Sequence, residues 1–151
     1  MFSSPPLIST HKLSKTFYVS QQKLVAVAGL DLDIYPGETL GLVGESGCGK
    51  STVGRLLLRL QSPSSGHIFY RDRDLTLLSK DDLHPYRRQM QMIFQDPHAS
   101  LNPRMTIQEA LGEPLTIHRL AKGLAKKERI EELLSLVGLD ADAMSRYPHE
   151  F

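Results

Sequence analysis

The stretch Thr39-Leu40-Gly41-Leu42-Val43-Gly44-Glu45-Ser46-Gly47-Cys48-Gly49-Lys50-Ser51-Thr52 decides how this chain is read. Residues 44–51 fit G-x-x-x-x-G-K-[ST], the pattern of a phosphate-binding loop. Leu40, Leu42 and Val43 form a short apolar run ahead of the glycines, which predicts a buried strand. Val53, Leu56, Leu57 and Leu60 follow at helical spacing, with Arg55 and Arg59 together on another side. Strand, glycine loop and helix in that order are the context the motif needs.

The residue types say what such a loop can hold. Phosphate groups carry dense negative charge. Glycines let the backbone curl until successive N–H groups point into one concavity. Gly44, Glu45, Ser46, Gly47, Cys48 and Gly49 would supply that backbone. A helix starting near Lys50 adds unpaired amides and the positive end of its dipole. Lys50 would bring a point charge to the β- and γ-phosphates of a nucleotide, and Ser51 a hydroxyl to a bridging Mg²⁺. Thr52 could touch the α-phosphate. Cys48 lies inside the loop, where a bulky group on its sulfur would compete with a nucleotide. The competing reading is a glycine-rich turn whose lysine is merely solvated.

Bulk properties set the bounds. The chain has 151 residues, enough for a domain with a real core. Its formal net charge of +1 gives no strong field for nucleic acid. One cysteine excludes a disulfide within the chain and fits a reducing compartment. The run Leu56-Leu57-Leu58 is far too short to span a bilayer. Residues 1–8 have neither a basic start nor an apolar core of a signal peptide. These features predict a cytosolic protein.

Taken in order, residues 7–13 read as a first, edge strand. Residues 24–34 contain strict alternation, with Leu30, Leu32 and Ile34 apolar and Asp31 and Asp33 polar, which predicts a half-buried antiparallel strand. Tyr35-Pro36-Gly37-Glu38 has Pro and Gly placed for a type II turn. Ser62-Pro63-Ser64-Ser65-Gly66 breaks the structure, and residues 67–70 read as a strand. Ser79 and Asp82 could cap a helix, and a helix starting at Pro85 is equally consistent. Arg87 and Arg88 read as a solvated face, and residues 90–94 as a short strand. Thr106 and Glu109 form a capping box, and Glu113-Pro114 is expected to interrupt the helix it opens. Residues 125–137 give the clearest helix, with Ile130, Leu133, Leu134 and Val137 on one face and Gly138 ending it.

Three further segments narrow the reading. Leu13-Ser14-Lys15-Thr16-Phe17 resembles the adenine-stacking segment of ATP-binding cassette (ABC) transporter ATPases. Met92-Ile93-Phe94-Gln95-Asp96-Pro97 is similar to their glutamine loop, and Arg146-Tyr147-Pro148-His149-Glu150-Phe151 to the run before their signature motif. The segment from Gln95 through Asn102-Pro103-Arg104-Met105-Thr106 is similar to the peptide and nickel importer branch.

The resemblance implies an α/β fold, a P-loop NTPase core with an antiparallel β piece followed by a helical subdomain. The implied domains are 1–94, the nucleotide-binding core, and 95–151, the glutamine loop and helical subdomain. It implies that Phe17 stacks on adenine, with Tyr18 as the fallback, and that Gln95 reaches Mg²⁺ or the attacking water. It implies a second ATPase subunit, two membrane-spanning permease subunits and an upstream solute-binding protein as partners, with no nucleic acid. The chain would sit in the cytoplasm on the inner face of the membrane. In the family the signature, the Walker B acid, the catalytic glutamate and the switch histidine follow the position of Phe151. The chain therefore looks like the N-terminal part of such a subunit. The phosphate-loop strand would lie in a mainly parallel sheet, short of some neighbours. Asp96 and Asp140 each follow an apolar run, but Pro97 after Asp96 and the glycine-capped helix end before Asp140 give neither the setting of a Walker B acid. Two other readings stay open: a nucleotide-binding module without turnover, and a P-loop small-molecule kinase.

Overall fold

The computed structural model describes residues 4–95 and 100–151. Its internal contacts divide into two compact units, with the division between Met92 and Ile93.

The first unit is built on an antiparallel sheet. Strands β1 (Ile8–Val19) and β2 (Gln22–Ile34) form a long hairpin. Strand β3 (Ser65–Tyr70) pairs with the other side of β1, and the short β4 (Arg73–Asp74) pairs with β3. The order β2-β1-β3-β4 puts β1 inside the sheet. The expected edge strand is thus an inner one, because the later β3 covers its free side. The alternation in β2 is as expected, Leu30, Leu32 and Ile34 half-buried and Asp31 and Asp33 exposed. The turn after β2 closes through the Glu38 amide donating to the Tyr35 carbonyl (3.1 Å), with Gly37 at φ 76°, the value a type II turn needs at that place.

Helix α1 (Lys50–Leu57) lays Val53 and Leu56 into the core with Leu13, Val27, Ile68, Tyr70, Leu75, Leu83 and Met90. Fully burying a leucine such as Leu56 stabilises the fold by roughly 1.5–3 kcal/mol. Leu60, expected on the apolar face, lies past the end of the helix and is half exposed. The chain leaves α1 through Arg59 at φ 50°.

Two expected strands are absent. Leu40, Leu42 and Val43 are in no ladder, and Val43 is 94% exposed. Residues 90–94 are also irregular, with Met90 buried but Ile93 93% exposed. A strand satisfies its backbone groups through a neighbour. Among the described residues neither segment has one, so an apolar run alone does not make a strand.

Arg87 is not a solvated residue. It lies in a 3-10 helix (His84–Arg88), which carries Pro85 in its first turn. Its guanidinium donates to the carbonyls of Leu58 (2.6 Å) and Arg59 (2.9 Å), where α1 runs out of its own donors. Ser79 and Asp82 do cap the preceding turn, the Asp82 amide donating to Ser79 Oγ at 3.2 Å.

The second unit is helical. Helix α2 (Ile107–Ile117) opens with the expected capping box: the Glu109 amide donates to Thr106 Oγ1, and the Thr106 amide to Glu109 Oε2. Pro114 sits inside this helix and does not end it. The box and the burial of Leu115 hold the helix through the one missing donor, and Thr116 Oγ1 donates to the Gly112 carbonyl at 3.0 Å. Helix α3 (Gly123–Leu136) buries Ile130 and Leu134 against Leu115, Ala143 and Met144. It ends in a Schellman arrangement, with the amides of Gly138 and Leu139 donating to the carbonyls of Ser135 and Leu134. That cap turns Val137 away from the core, leaving it 70% exposed.

Two outcomes follow from these contacts. Arg87→Ala should lower the unfolding free energy by about 1–2 kcal/mol, read as a lower urea midpoint at unchanged slope, since it removes two charge-assisted bonds from half-buried carbonyls. The second concerns Asp74. Partial burial pushes its carboxyl up, but the Thr76 hydroxyl and amide, together with His67, outweigh this and hold it below the usual carboxylate range. A lowered folded value means stability that is present above the unfolded value, about 3.9, and lost as pH falls through the folded one. Asp74→Asn should therefore lower stability at pH 7, where the contribution is fully present, and its difference from the wild type should shrink as pH falls below about 4 in acid titrations followed by circular dichroism.

Candidate functional site

The glycine-rich segment forms a loop between the turn after β2 and the start of α1. Gly47 and Gly49 take left-handed conformations, φ 83° and 101°. The Cys48 amide donates to the Glu45 carbonyl at 3.3 Å, closing a tight turn. Gly49 is the N-cap of α1, and no side chain caps the helix there. The first amides of α1 therefore have no acceptor within the helix. Gly49 also sits directly on the sheet. A Cβ at this position would lie 2.3 Å from the Ala26 carbonyl oxygen of β2.

The charge of the loop is placed by Lys50. Its ammonium donates to the carbonyls of Gly44 (2.7 Å) and Glu45 (2.5 Å) and lies 3.6 Å from Cys48 Sγ. Both contacts fold the side chain back over the loop, so its cation sits among the turn's own backbone groups. Ser51 and Cys48 are exposed, and Thr52 is half-buried. Beside the exposed Glu45 carboxylate, the loop offers the uncapped amides of α1, the Lys50 cation and the Ser51 and Thr52 hydroxyls. This donor set and the cradle at Gly49 fit a phosphate chain with an associated Mg²⁺.

Phe17 is half-buried on β1, paired with Leu24 of β2. Leu24 is two residues along β2 from Ala26, the residue under Gly49, or roughly 7 Å along the strand. The hairpin thus ties Phe17 and the loop to the same stretch of β2. Lys15 Nζ lies 5.3 Å from the Phe17 ring centroid and donates to the Ser62 carbonyl. Tyr18 is far more exposed. Gln95 is exposed and belongs to the second unit. Asp96 lies outside the described residues. The part of Ala26 was invisible in sequence, because it acts through its carbonyl. Arg87 likewise gave no signal, since its acceptors lie 28 and 29 residues away.

The architecture belongs to a known class. It matches the dimeric bacterial ABC transporter cassette MJ0796 with a TM-score of 0.77 at 26% identity, over 95% of this chain and 62% of that one. The post-hydrolysis dimer of MJ0796 bound to ADP and Pi matches with a TM-score of 0.79 at 24% identity, over the same shares of the two chains. The fold is that of an ABC ATPase cassette, an α/β P-loop fold.

The ABC transporter family matches residues 27–151, and this chain belongs to that family. It is 48% identical over 149 residues to the oligopeptide transport ATP-binding protein OppF of Bacillus subtilis (strain 168). The match covers 96% of this chain and 48% of that protein. It is 51% identical over 126 residues to the glutathione import ATP-binding protein GsiA of Salmonella typhimurium, covering 83% of this chain and 20% of GsiA. The chain spans about half the length of the oligopeptide-transport relatives it matches. Among the described residues no helix is long and apolar enough to cross a membrane.

The two glycines at the ends of the loop should respond differently to a methyl group. At Gly49 it meets a backbone oxygen at a left-handed φ, so Gly49→Ala should cost about 2–4 kcal/mol. At Gly44 it meets only Cys48 Sγ, 2.7 Å away, the end of a side chain that can rotate. Gly44→Ala should cost about 1 kcal/mol or less and be relieved by Cys48→Ala, as a double-mutant cycle in urea would read out.

Proposed function

We propose that the loop of residues 44–52 binds the phosphates of ATP, and that the whole protein is the ATP-binding subunit of an ABC importer. The observation that carries this is the Lys50 ammonium, held on the loop carbonyls beside the uncapped amides of α1. In this reading the loop amides from Gly44 to Gly49 cradle the β-phosphate, Lys50 neutralises the β- and γ-phosphates, and Thr52 contacts the α-phosphate. Ser51 would hold Mg²⁺, which would supply charge neutralisation across the phosphates, and Gln95 carries the separate proposal of reaching Mg²⁺ or the attacking water. Phe17 offers its ring to adenine, a contact that depends on a π-face and not on hydrogen bonds. Residues 1–94 form the nucleotide-binding core, and residues 95–151 the glutamine loop and helical subdomain.

The identities with oligopeptide and glutathione import proteins support peptides or related small solutes as the cargo. The partners in this reading are a second ATPase subunit, two permease subunits and a solute-binding protein. The protein is cytoplasmic and held at the inner face of the membrane by the permeases.

Lys50→Ala should weaken ATP binding at least tenfold in a calorimetric titration and leave the far-UV spectrum unchanged, since its bonds are to the loop and not to the core. Unchanged affinity would remove the phosphate-loop assignment. Cys48 gives an independent check. A bulky maleimide should label it and block ATP binding, and saturating Mg-ATP should slow the labelling at least tenfold. Equal labelling rates with and without Mg-ATP would place the nucleotide elsewhere.

A further inference from the structure

Where α1 ends, a cleft of about 390 Å³ opens that the reading above leaves unused. Leu60, Leu78 and Leu83 give it apolar walls, and Arg59, Lys80 and Arg87 give it three cations. No carboxylate lines it. Among the described residues none of these three cations is in an ion pair. The two guanidiniums are fixed by neutral acceptors. Arg59 donates to the carbonyls of Leu75 and Thr76, and Arg87 to those of Leu58 and Arg59. Each guanidinium has five N–H groups, so both keep donors beyond those bonds while being held in place. The end of α1 offsets only about half a unit of negative charge. Asp82, in the same turn as Lys80, is engaged by the Ser79 hydroxyl at 2.7 Å.

We propose that this cleft binds a small organic anion, with a phosphate or carboxylate head on Arg59, Lys80 and Arg87 and a short apolar body over the leucines. Preorganised guanidiniums suit an oxyanion, and the volume lies in the range of small-molecule sites. The cleft is open to solvent, so binding should weaken as salt rises.

The test uses the ¹⁵N-labelled chain carrying Lys50→Ala, which removes the phosphate loop as a competitor and keeps this result separate from the ATP reading. Hexyl phosphate, hexanoate, inorganic phosphate and hexanol are titrated in turn at low salt. Hexyl phosphate should give saturable shifts at the amides of Leu60, Lys80 and Leu83, at least tenfold tighter than inorganic phosphate or hexanol. Comparison with hexanoate tells whether the head is phosphate or carboxylate. Lys80→Glu should weaken binding by about tenfold or more, the loss of one charge-assisted contact, and Lys80→Gln by less. Lys80 is exposed and makes no backbone bond, so both variants should keep the wild-type melt. Absence of shifts in the cleft would overturn the proposal. So would unchanged affinity in a folded Lys80→Glu chain, or inorganic phosphate binding as tightly as hexyl phosphate.

Discussion

The loop rests on one close contact, that of Gly49 with the Ala26 carbonyl of β2. No side chain can stand at Gly49, because even a Cβ would overlap that oxygen, and the left-handed φ of 101° excludes most residues on backbone grounds as well. The contact fixes where α1 starts. The Val53 amide then donates to the Gly49 carbonyl at 2.9 Å, and the buried face of Val53 and Leu56 is set at the same time. Packing and site are thus one constraint. The helix can bury its apolar face only if its uncapped first turn stays beside the sheet, with Lys50 folded back over the loop.

The other end of α1 is held just as specifically. Arg87 reaches across from the 3-10 helix to the last carbonyls, and Arg59 crosses to the carbonyls of Leu75 and Thr76. A helix of eight residues has little stability of its own. Here it is tied at its start by a glycine seat and at its end by two arginines. The second unit uses local devices instead: the Thr106–Glu109 box starts α2, and the amides of Gly138 and Leu139 end α3.

What was legible in the sequence was local. The hairpin strand with its Leu30, Leu32 and Ile34 alternation, the Pro36-Gly37 turn, the capping box and the Gly138 stop each depend on residues within a few positions of one another. What was not legible depended on distant partners. Leu40, Leu42 and Val43 look like a strand, but a strand needs a neighbour, and none of the described residues is one. Residues 90–94 fail for the same reason. Pro114 looks like a helix breaker, yet burial of Leu115 and the box at Thr106 outweigh one lost donor. Arg87 looks like surface charge, because its acceptors are backbone carbonyls far away in the chain. For the candidate site, the expectation at residues 44–52 rests on motif and context, whereas those at Phe17 and Gln95 rest on resemblance alone.

The central claim is that the curl at residues 44–51 is built to take phosphate. It is tested most directly by following the backbone amides of Gly47, Gly49, Lys50 and Ser51 during a titration with Mg-ATP by ¹H–¹⁵N correlation spectroscopy. The account predicts that these four amides shift most and saturate together, moving downfield as they gain a charged acceptor, and that inorganic pyrophosphate moves the same set while adenosine does not. Shifts confined to other parts of the chain, or none at these amides at saturating Mg-ATP, would contradict it.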